Sequence, residues 1–327
     1  MWGEAENIVK FIIILGVIIF VLHVLLLYGV WRAAFSTKDN RYYEPMGFPK
    51  GKQYKKVMPE MKALVEKELE VPFEEVYITS FDGLKLYGRI YKGDPGRPVQ
   101  LLFHGWKSNA LRDFAGGSAI LRQERDTVIL VDERGINKSE GDFLSYGILE
   151  RKDILSWIQY ADKRWNHPLM MLYGVSMGAA AVLMALDQNL PKNVVGVVAD
   201  SPYSSPKDII CTVVERKHLP VRPAWYLIRQ AARLYGHFDI DESTAVQAVS
   251  QSDVPVLLLH GDDDRFVPVD MSEDICAAAK GKAVREVFPG AAHGISYLQD
   301  VKRYTETVEK FVELCTENYS DGSENHN

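Results

Sequence analysis

The hydrophobic residues of this chain are arranged in three ways. From Phe11 to Val30 there is no charged residue, and Ile, Leu and Val dominate. About 20 residues at about 1.5 Å per residue match the roughly 30 Å hydrocarbon layer of a bilayer, so the pattern predicts a membrane-crossing helix, placed at 8–31. From Val76 the texture changes: VYITS and LKLYGRIY are strand-like runs joined by Asp82-Gly83, a dipeptide suited to a tight antiparallel hairpin. Short apolar runs then alternate with longer helix-compatible stretches. VQLLF precedes LRDFAGGSAILRQE, TVILV precedes LERKDILSWIQYADKRW, LMMLY precedes MGAAAVLMALDQ, and VVGVVAD, PVLLLH and AVREVF follow. Strands that are apolar throughout, with helices between them, imply a mostly parallel, doubly wound α/β sheet covered on both faces.

The spacing breaks between Asp200 and Pro255, where about 50 residues separate two strands that a simple crossover would join with far fewer. Residues 206–235 are helix-compatible there and include PAWYLIRQAARLY, rich in aromatic and basic side chains. Open α/β sheets bind ligands outside the carboxyl ends of their strands, so a helical cap over the site is expected at about 202–250. A helical excursion packed on the domain's flank is the alternative. Residues 32–72 read as a polar, Lys-rich connector with Pro45, Pro49 and Pro59, ending in a short helix that contains MKALVEKELE. The α/β domain is placed at 73–318, and the tail 319–327 is expected to be disordered because it is poor in apolar residues.

A cleaved signal peptide is the rival reading of the first segment, but its apolar core would run only about 7–15 residues and end at a small-x-small site. Trp31, Arg32 and Phe35 crowd that junction, which favours an uncleaved, single-pass anchor. Arg32, Lys38 and Arg41 follow the apolar run, whereas Lys10, with Glu4 and Glu6, precedes it; the positive-inside rule then places the folded domain in the cytoplasm. His23 inside the run is assigned no role. Of 327 residues, 47% are hydrophobic and 25% charged, and the net charge of -6 offers no basic face for nucleic acid. Cys211, Cys276 and Cys315 are too widely spaced for a zinc site or a disulfide framework and read as free thiols.

The chemistry is concentrated at the ends of strands. Gly174-Val175-Ser176-Met177-Gly178 follows LMMLY and precedes an Ala-rich helix, the strand-turn-helix context of a nucleophile elbow. A serine hydroxyl is a weak nucleophile at neutral pH and needs an adjacent base, itself oriented by a carboxylate. His293 sits in the small-residue loop Pro289-Gly290-Ala291-Ala292-His293-Gly294 after the last strand, the place expected for the base. His104 and His260 lie in His-Gly pairs at strand ends, while His167, His218, His237 and His326 have no motif; none is assigned chemistry. Three carboxylates, Asp262, Asp263 and Asp264, follow PVLLLH, and only one can orient the base.

His260-Gly261-Asp262-Asp263-Asp264-Arg265-Phe266-Val267-Pro268 resembles the H-G-x-x-D-x-x-V-P segment of α/β-hydrolases, and that resemblance makes Asp264 the catalytic acid. Asp262 and Asp263 are then expected to cap the turn or a helix beginning near Val269. Asp132-Glu133-Arg134-Gly135-Ile136-Asn137-Lys138-Ser139-Glu140-Gly141 resembles the D-x-R-x-x-G-x-S-E-G loop of an esterase-like branch, with Asn137 in place of the usual Gly. Asn tolerates a left-handed backbone, so the loop is expected to survive that change as structural support. Leu101-Leu102-Phe103-His104-Gly105-Trp106 resembles the H-G-x segment whose backbone N–H forms half of an oxyanion hole, which implies that Trp106 donates one amide. Met177, whose N–H opens the helix after the serine, supplies the other.

Together these segments imply an α/β-hydrolase fold with a helical cap and an N-terminal transmembrane helix, carrying a serine hydrolase that cleaves carboxylic esters, lipid-derived ones included, through an acyl-enzyme on Ser176. No metal or organic cofactor is required. Alternatives are a serine peptidase or acylaminoacyl-peptidase of prolyl-oligopeptidase type, which shares the elbow and triad order, and a non-catalytic membrane-tethered binding module.

Overall fold

The computed structural model describes residues 2–38, 48 and 51–324. Arg41, Pro45 and Pro49, used above for orientation and for the connector, lie outside the described residues. In chain order the elements are α1 (Trp2–Ala34), α2 (Met58–Leu69), β1 (Glu74–Thr79), β2 (Lys85–Tyr91), β3 (Val99–Phe103), α3 (Ala110–Gln123), β4 (Thr127–Val131), α4 (Glu150–Arg164), β5 (Met170–Val175) and α5 (Met177–Met184). They continue with β6 (Val194–Asp200), α6 (Pro206–Arg216), α7 (Val221–Ala231), α8 (Ala245–Gln251), β7 (Val256–Gly261), α9 (Asp270–Ala278), β8 (Ala283–Phe288), α10 (Ser296–Gln299) and α11 (Val301–Glu324).

The eight strands form one sheet in the order β1-β2-β4-β3-β5-β6-β7-β8, with β2 antiparallel to both β1 and β4 and all other neighbours parallel. The central strands β3, β4, β6 and β7 are buried at every residue because helices cover both faces. Successive residues of one strand feed different cores. Leu101 and Phe103 join the cluster built with α4, α5 and α8, whereas Leu102 joins the one built with α3 and α11. The edge strand β1 alternates between buried or half-buried and exposed residues. The β1–β2 connection is longer than a two-residue turn: Ser80 N donates to Leu84 O (2.8 Å), and within the loop only Gly83 takes positive φ, at +90°.

One boundary and one placement differ from the expectation. Helix α11 continues through Glu324, so the tail expected to be disordered from 319 is helical that far; residues 325–327 lie outside the described residues. The physical reason is that Val308, Phe311 and Cys315 dock this helix on the sheet, and an established helix propagates one residue at a time at little cost. The insertion between β6 and β7 is helical as expected, but α7 lies against α1. Tyr235 Oη donates to Val24 O (2.9 Å), and His23 Nε2 lies 3.1 Å from Gln230 Oε1.

Helix α1 is long and apolar enough to cross a membrane. Its two halves differ. The large apolar side chains between Phe11 and Leu22 are exposed, whereas Leu27, Trp31 and then Phe35 are buried in the domain. Phe35 stacks on Trp31 (4.9 Å) and meets the rings of Tyr146 (5.7 Å) and Phe238 (5.6 Å) edge-on. Beyond the helix, Thr37 N donates to Asp142 O and Leu144 N to Phe35 O, so this end of the helix is joined to the loop after β4.

Candidate active site

Strand β5 ends at Val175 and α5 begins at Met177, leaving Ser176 alone in a sharp turn with φ +55° and ψ −113°. This is sparsely populated backbone for a serine and costs about 1–3 kcal/mol, so the surroundings must hold it. Ser176 N donates to Asp200 O at the end of β6 (2.8 Å), and Ser176 O accepts from Ala180 N (3.0 Å). Both flanking glycines are required by close approach. A Cβ on Gly174 would lie 2.3 Å from Gly178 C, and one on Gly178 would lie 2.0 Å from Phe103 O.

The hydroxyl so raised meets the histidine loop. His293 Nε2 lies 2.9 Å from Ser176 Oγ, and His293 Nδ1 lies 2.7 Å from Asp264 Oδ2. The compatible tautomer has Nδ1–H donating to the carboxylate and Nε2 accepting the serine proton. The Asp264 side chain is completely buried while that of His293 is 13% exposed, so the row of three is closed at its acid end, and Ser176 and His293 border a cavity. Of the three competing aspartates, Asp264 alone reaches His293 among the described residues. Asp262 Oδ1 accepts from Gly290 N (2.6 Å), tying the acid loop to the histidine loop, and Asp263 forms an exposed pair with Arg265. Of the expectation that these two cap the turn or a helix near Val269, the helix part is corrected: α9 begins with Val269 as its N-cap and no side-chain cap.

Burial by itself would raise the Asp264 carboxyl, but hydrogen bonds from His260 and His293, the charge of His293 and the amide of Val267 together hold it well below the usual range. Its two lone-pair regions are filled: Oδ1 accepts from Phe266 N and Val267 N, both 2.8 Å, and Oδ2 faces His293 and His260 Nε2 at 3.3 Å. The segment that begins at His260 points in the sequence to Asp264 and assigns His260 no role of its own. Its ring is fully buried beneath the acid, and Nε2 also faces Val267 O at 3.2 Å, which marks Nε2 as the protonated nitrogen.

Opposite the serine, the loop after β3 runs past at van der Waals distance, since a Cβ on Gly105 would lie 3.2 Å from Ser176 Cβ. Asp113 fixes this loop by accepting from Gly105 N (2.9 Å) and Ser108 Oγ (2.6 Å). Buried His104 completes the clamp, Nδ1–H donating to Gly105 O and Nε2 accepting from Glu133 N (2.9 Å), a pattern that requires the neutral ring; burial accordingly lowers its pKa. Among the described residues, the backbone N–H groups of Trp106 and Met177 have no hydrogen-bond partner. The Trp106 ring stacks on Tyr146 at 4.3 Å. Below the histidine lies Asp200, whose carboxyl burial pushes up to about 6 against the hydrogen bonds of Ser201 and Ser296 and the nearby His260 and His293. The loop after β4 is structural support: Asn137 takes φ +47°, and buried Arg134 forks onto Asp153 with two 2.7 Å bonds while also reaching Asp82 in the β1–β2 loop.

A cavity of about 330 Å³ opens beside Ser176. Tyr54, Met61, Leu64, Phe114, Tyr297 and Leu298 make its walls largely apolar. Tyr54, Met61 and Leu64 belong to the segment expected only to connect anchor and domain, and no lining residue comes from 202–250. The wall expected from the insertion is thus supplied by the connector.

Residues 113–318, which include Ser176, Asp264 and His293, match the prolyl oligopeptidase family. The chain belongs to that family. It is a serine hydrolase of α/β-hydrolase fold. The Bacillus subtilis protein YqkD is 24% identical over 261 residues, 77% of this chain and 83% of that protein. An esterase of Pyrococcus furiosus superposes with a TM-score of 0.62 at 20% identity, covering 76% of this chain and 93% of that one. An esterase of Exiguobacterium antarcticum gives a TM-score of 0.57 at 20% identity, covering 73% and 100%. At these identities the structural likeness concerns the fold. This family member therefore carries the sheet, the elbow and the parallel strand ends on which its residues must be read individually.

Proposed function

We propose that this protein is a membrane-anchored hydrolase of carboxylic esters that works through an acyl-enzyme on Ser176. Ser176 Oγ attacks the ester carbonyl while His293 Nε2 takes its proton, and the imidazolium is held and compensated by Asp264. The N–H groups of Trp106 and Met177 receive the oxyanion of the tetrahedral intermediate. His293 then delivers the proton to the leaving alcohol, and the same base activates water to release the acid and regenerate Ser176. The observation that supports this most is the unbroken row Asp264–His293–Ser176, at 2.7 and 2.9 Å, on a strained elbow. The apolar cavity beside the serine supports a substrate with an apolar acyl or alcohol part, lipid-derived esters included.

The catalytic unit is taken as 73–318 with α1 as the anchor. Two observations support an uncleaved anchor: residues 11–22 expose an apolar surface suited to lipid, and Leu27, Trp31 and Phe35 are buried in the core of the domain. Arg32 and Lys38 beyond the apolar run support a cytoplasmic domain. Family membership supports a second reading, cleavage of aminoacyl amides.

The full-length protein in detergent, offered a panel of p-nitrophenyl esters and aminoacyl p-nitroanilides, should give higher kcat/KM on the esters and label with a fluorophosphonate. Preference for the anilides would replace the ester reading. Absence of labelling and turnover would leave a binding module.

A further inference from the structure

Helix α7 lies against α1, the helix long and apolar enough to cross a membrane. It packs on the stretch of α1 around His23 to Trp31, through the Gln230–His23 contact and the following Tyr235 on Val24 and Tyr28. His23 lies seven residues inside the apolar run that ends at Val30, a depth of about 10 Å at about 1.5 Å per residue. Amphipathic helices that lie in a membrane interface bury their apolar face about 5–10 Å into the headgroup and acyl boundary. If α1 spans the bilayer, its partner α7 is carried to that depth.

The surface of α7 is built for such a place. Tyr226, in the middle of its outer face, is 60% exposed, and Leu219 before the helix and Leu234 after it are 52% and 46% exposed. At 100° per residue Arg222, Tyr226 and Gln230 fall on one side of α7, and Gln230 is the residue that touches α1. Arg222 and Lys217 flank this face without an acidic partner among the described residues. Residues 207–234 hold six Lys or Arg against two acidic residues, and of the six Arg229 and Arg233 pair with Asp241 and Asp239 just beyond. Exposed aromatic and Leu side chains bordered by cations fit an anionic headgroup layer.

We propose that the outer face of α7, centred on Tyr226 and flanked by Lys217 and Arg222, lies in the lipid headgroup layer and binds anionic lipid. The proposal rests on α1 as a membrane span. It makes the insertion a second membrane contact that orients the hydrolase domain on the bilayer.

The test uses the full-length chain, with Cys211→Ala and Cys276→Ala, in bilayer discs of phosphatidylcholine with or without phosphatidylglycerol. Nitroxides are placed in turn at Ile14→Cys, Tyr226→Cys and Lys302→Cys, and oxygen is compared with a water-soluble nickel chelate as the relaxing agent. The expected result is lipid-like collision ratios at 14 and 226 and a water-like ratio at 302. The label at 226 should move toward water when phosphatidylglycerol is omitted or Lys217→Glu and Arg222→Glu are introduced. A water-like label at 226 with a lipid-like label at 14 overturns the proposal and leaves the anchor intact. A water-like label at 14 overturns both. Indifference of the 226 label to lipid charge overturns the anionic part, and spin–spin broadening at 226 that vanishes on dilution with unlabelled protein assigns the face to a second copy instead. Turnover of a soluble ester by the same discs is read in parallel, so failure of docking is distinguishable from failure of the hydrolase.

Discussion

The ground around Ser176 and the ground around Phe35 are held in different ways. At the serine, short-range constraints dominate: a turn at φ +55° flanked by glycines that tolerate no Cβ, and a carboxylate whose oxygens are all engaged. At Phe35 the constraints are mostly long-range: its ring meets Tyr146 and Phe238, and its neighbour Trp31 meets Phe143, so the cluster draws on the end of α1, the loop after β4 and the insertion. The first kind of order is written in neighbouring residues and is needed for chemistry. The second is set by packing and is needed for attachment. Tyr146 joins them, one edge against Phe35 and one face on Trp106.

If this contrast holds, substitutions at the two places should separate activity from stability. Ser176→Ala should lower kcat by up to about 10⁶-fold, the scale seen when a serine hydrolase loses its nucleophile, while a thermal melt stays near wild type. Phe35→Ala should do the reverse, destabilising the domain by about 3–5 kcal/mol through the cavity it leaves, as read from denaturant unfolding of the detergent-solubilised protein. Comparable kcat losses in the two variants would dissolve the distinction.

A smaller effect sharpens it from the electrostatic side. The folded pKa of Asp200 is raised to about 6, above the roughly 3.9 of an unfolded chain, so the native state binds the extra proton and stability falls as pH rises between these values. Asp200→Asn keeps an acceptor for Ser201 and Ser296 without the buried charge. It should stabilise the protein by up to about 3 kcal/mol at pH 8 and by nothing at pH 4, measured by urea unfolding at the two pH values. Equal effects at both would show that Asp200 does not titrate there.

The same division explains what was legible in the sequence. The strands, the elbow and the histidine loop could be read because each is a local pattern, and Asp264 could be chosen among three aspartates by its place in a segment resembling other hydrolases. The sheet order β4-β3-β5 has no such local sign, since all three strands are apolar throughout or nearly so. Tyr54, Met61 and Leu64 sit in a polar connector whose pattern gives a helix but not the surface it covers. His260 was passed over because its contact with Asp264 spans a turn, where the i,i+4 spacing carries none of the meaning it has in a helix. Asp262 binds the backbone of Gly290, a partner too distant in sequence to be foreseen.

The most direct measurement of the central claim, that Asp264 orients His293 for attack by Ser176, is kcat for Asp262→Asn, Asp263→Asn and Asp264→Asn on one activated ester. Loss of the orienting carboxylate leaves the imidazole in the wrong tautomer, a defect of up to about 10⁴ in kcat in the handled case of trypsin. Asp264→Asn should fall by that order with a melting temperature close to wild type, and the other two should retain most of their turnover. Collapse of Asp262→Asn or Asp263→Asn, with Asp264→Asn near wild type, would contradict it.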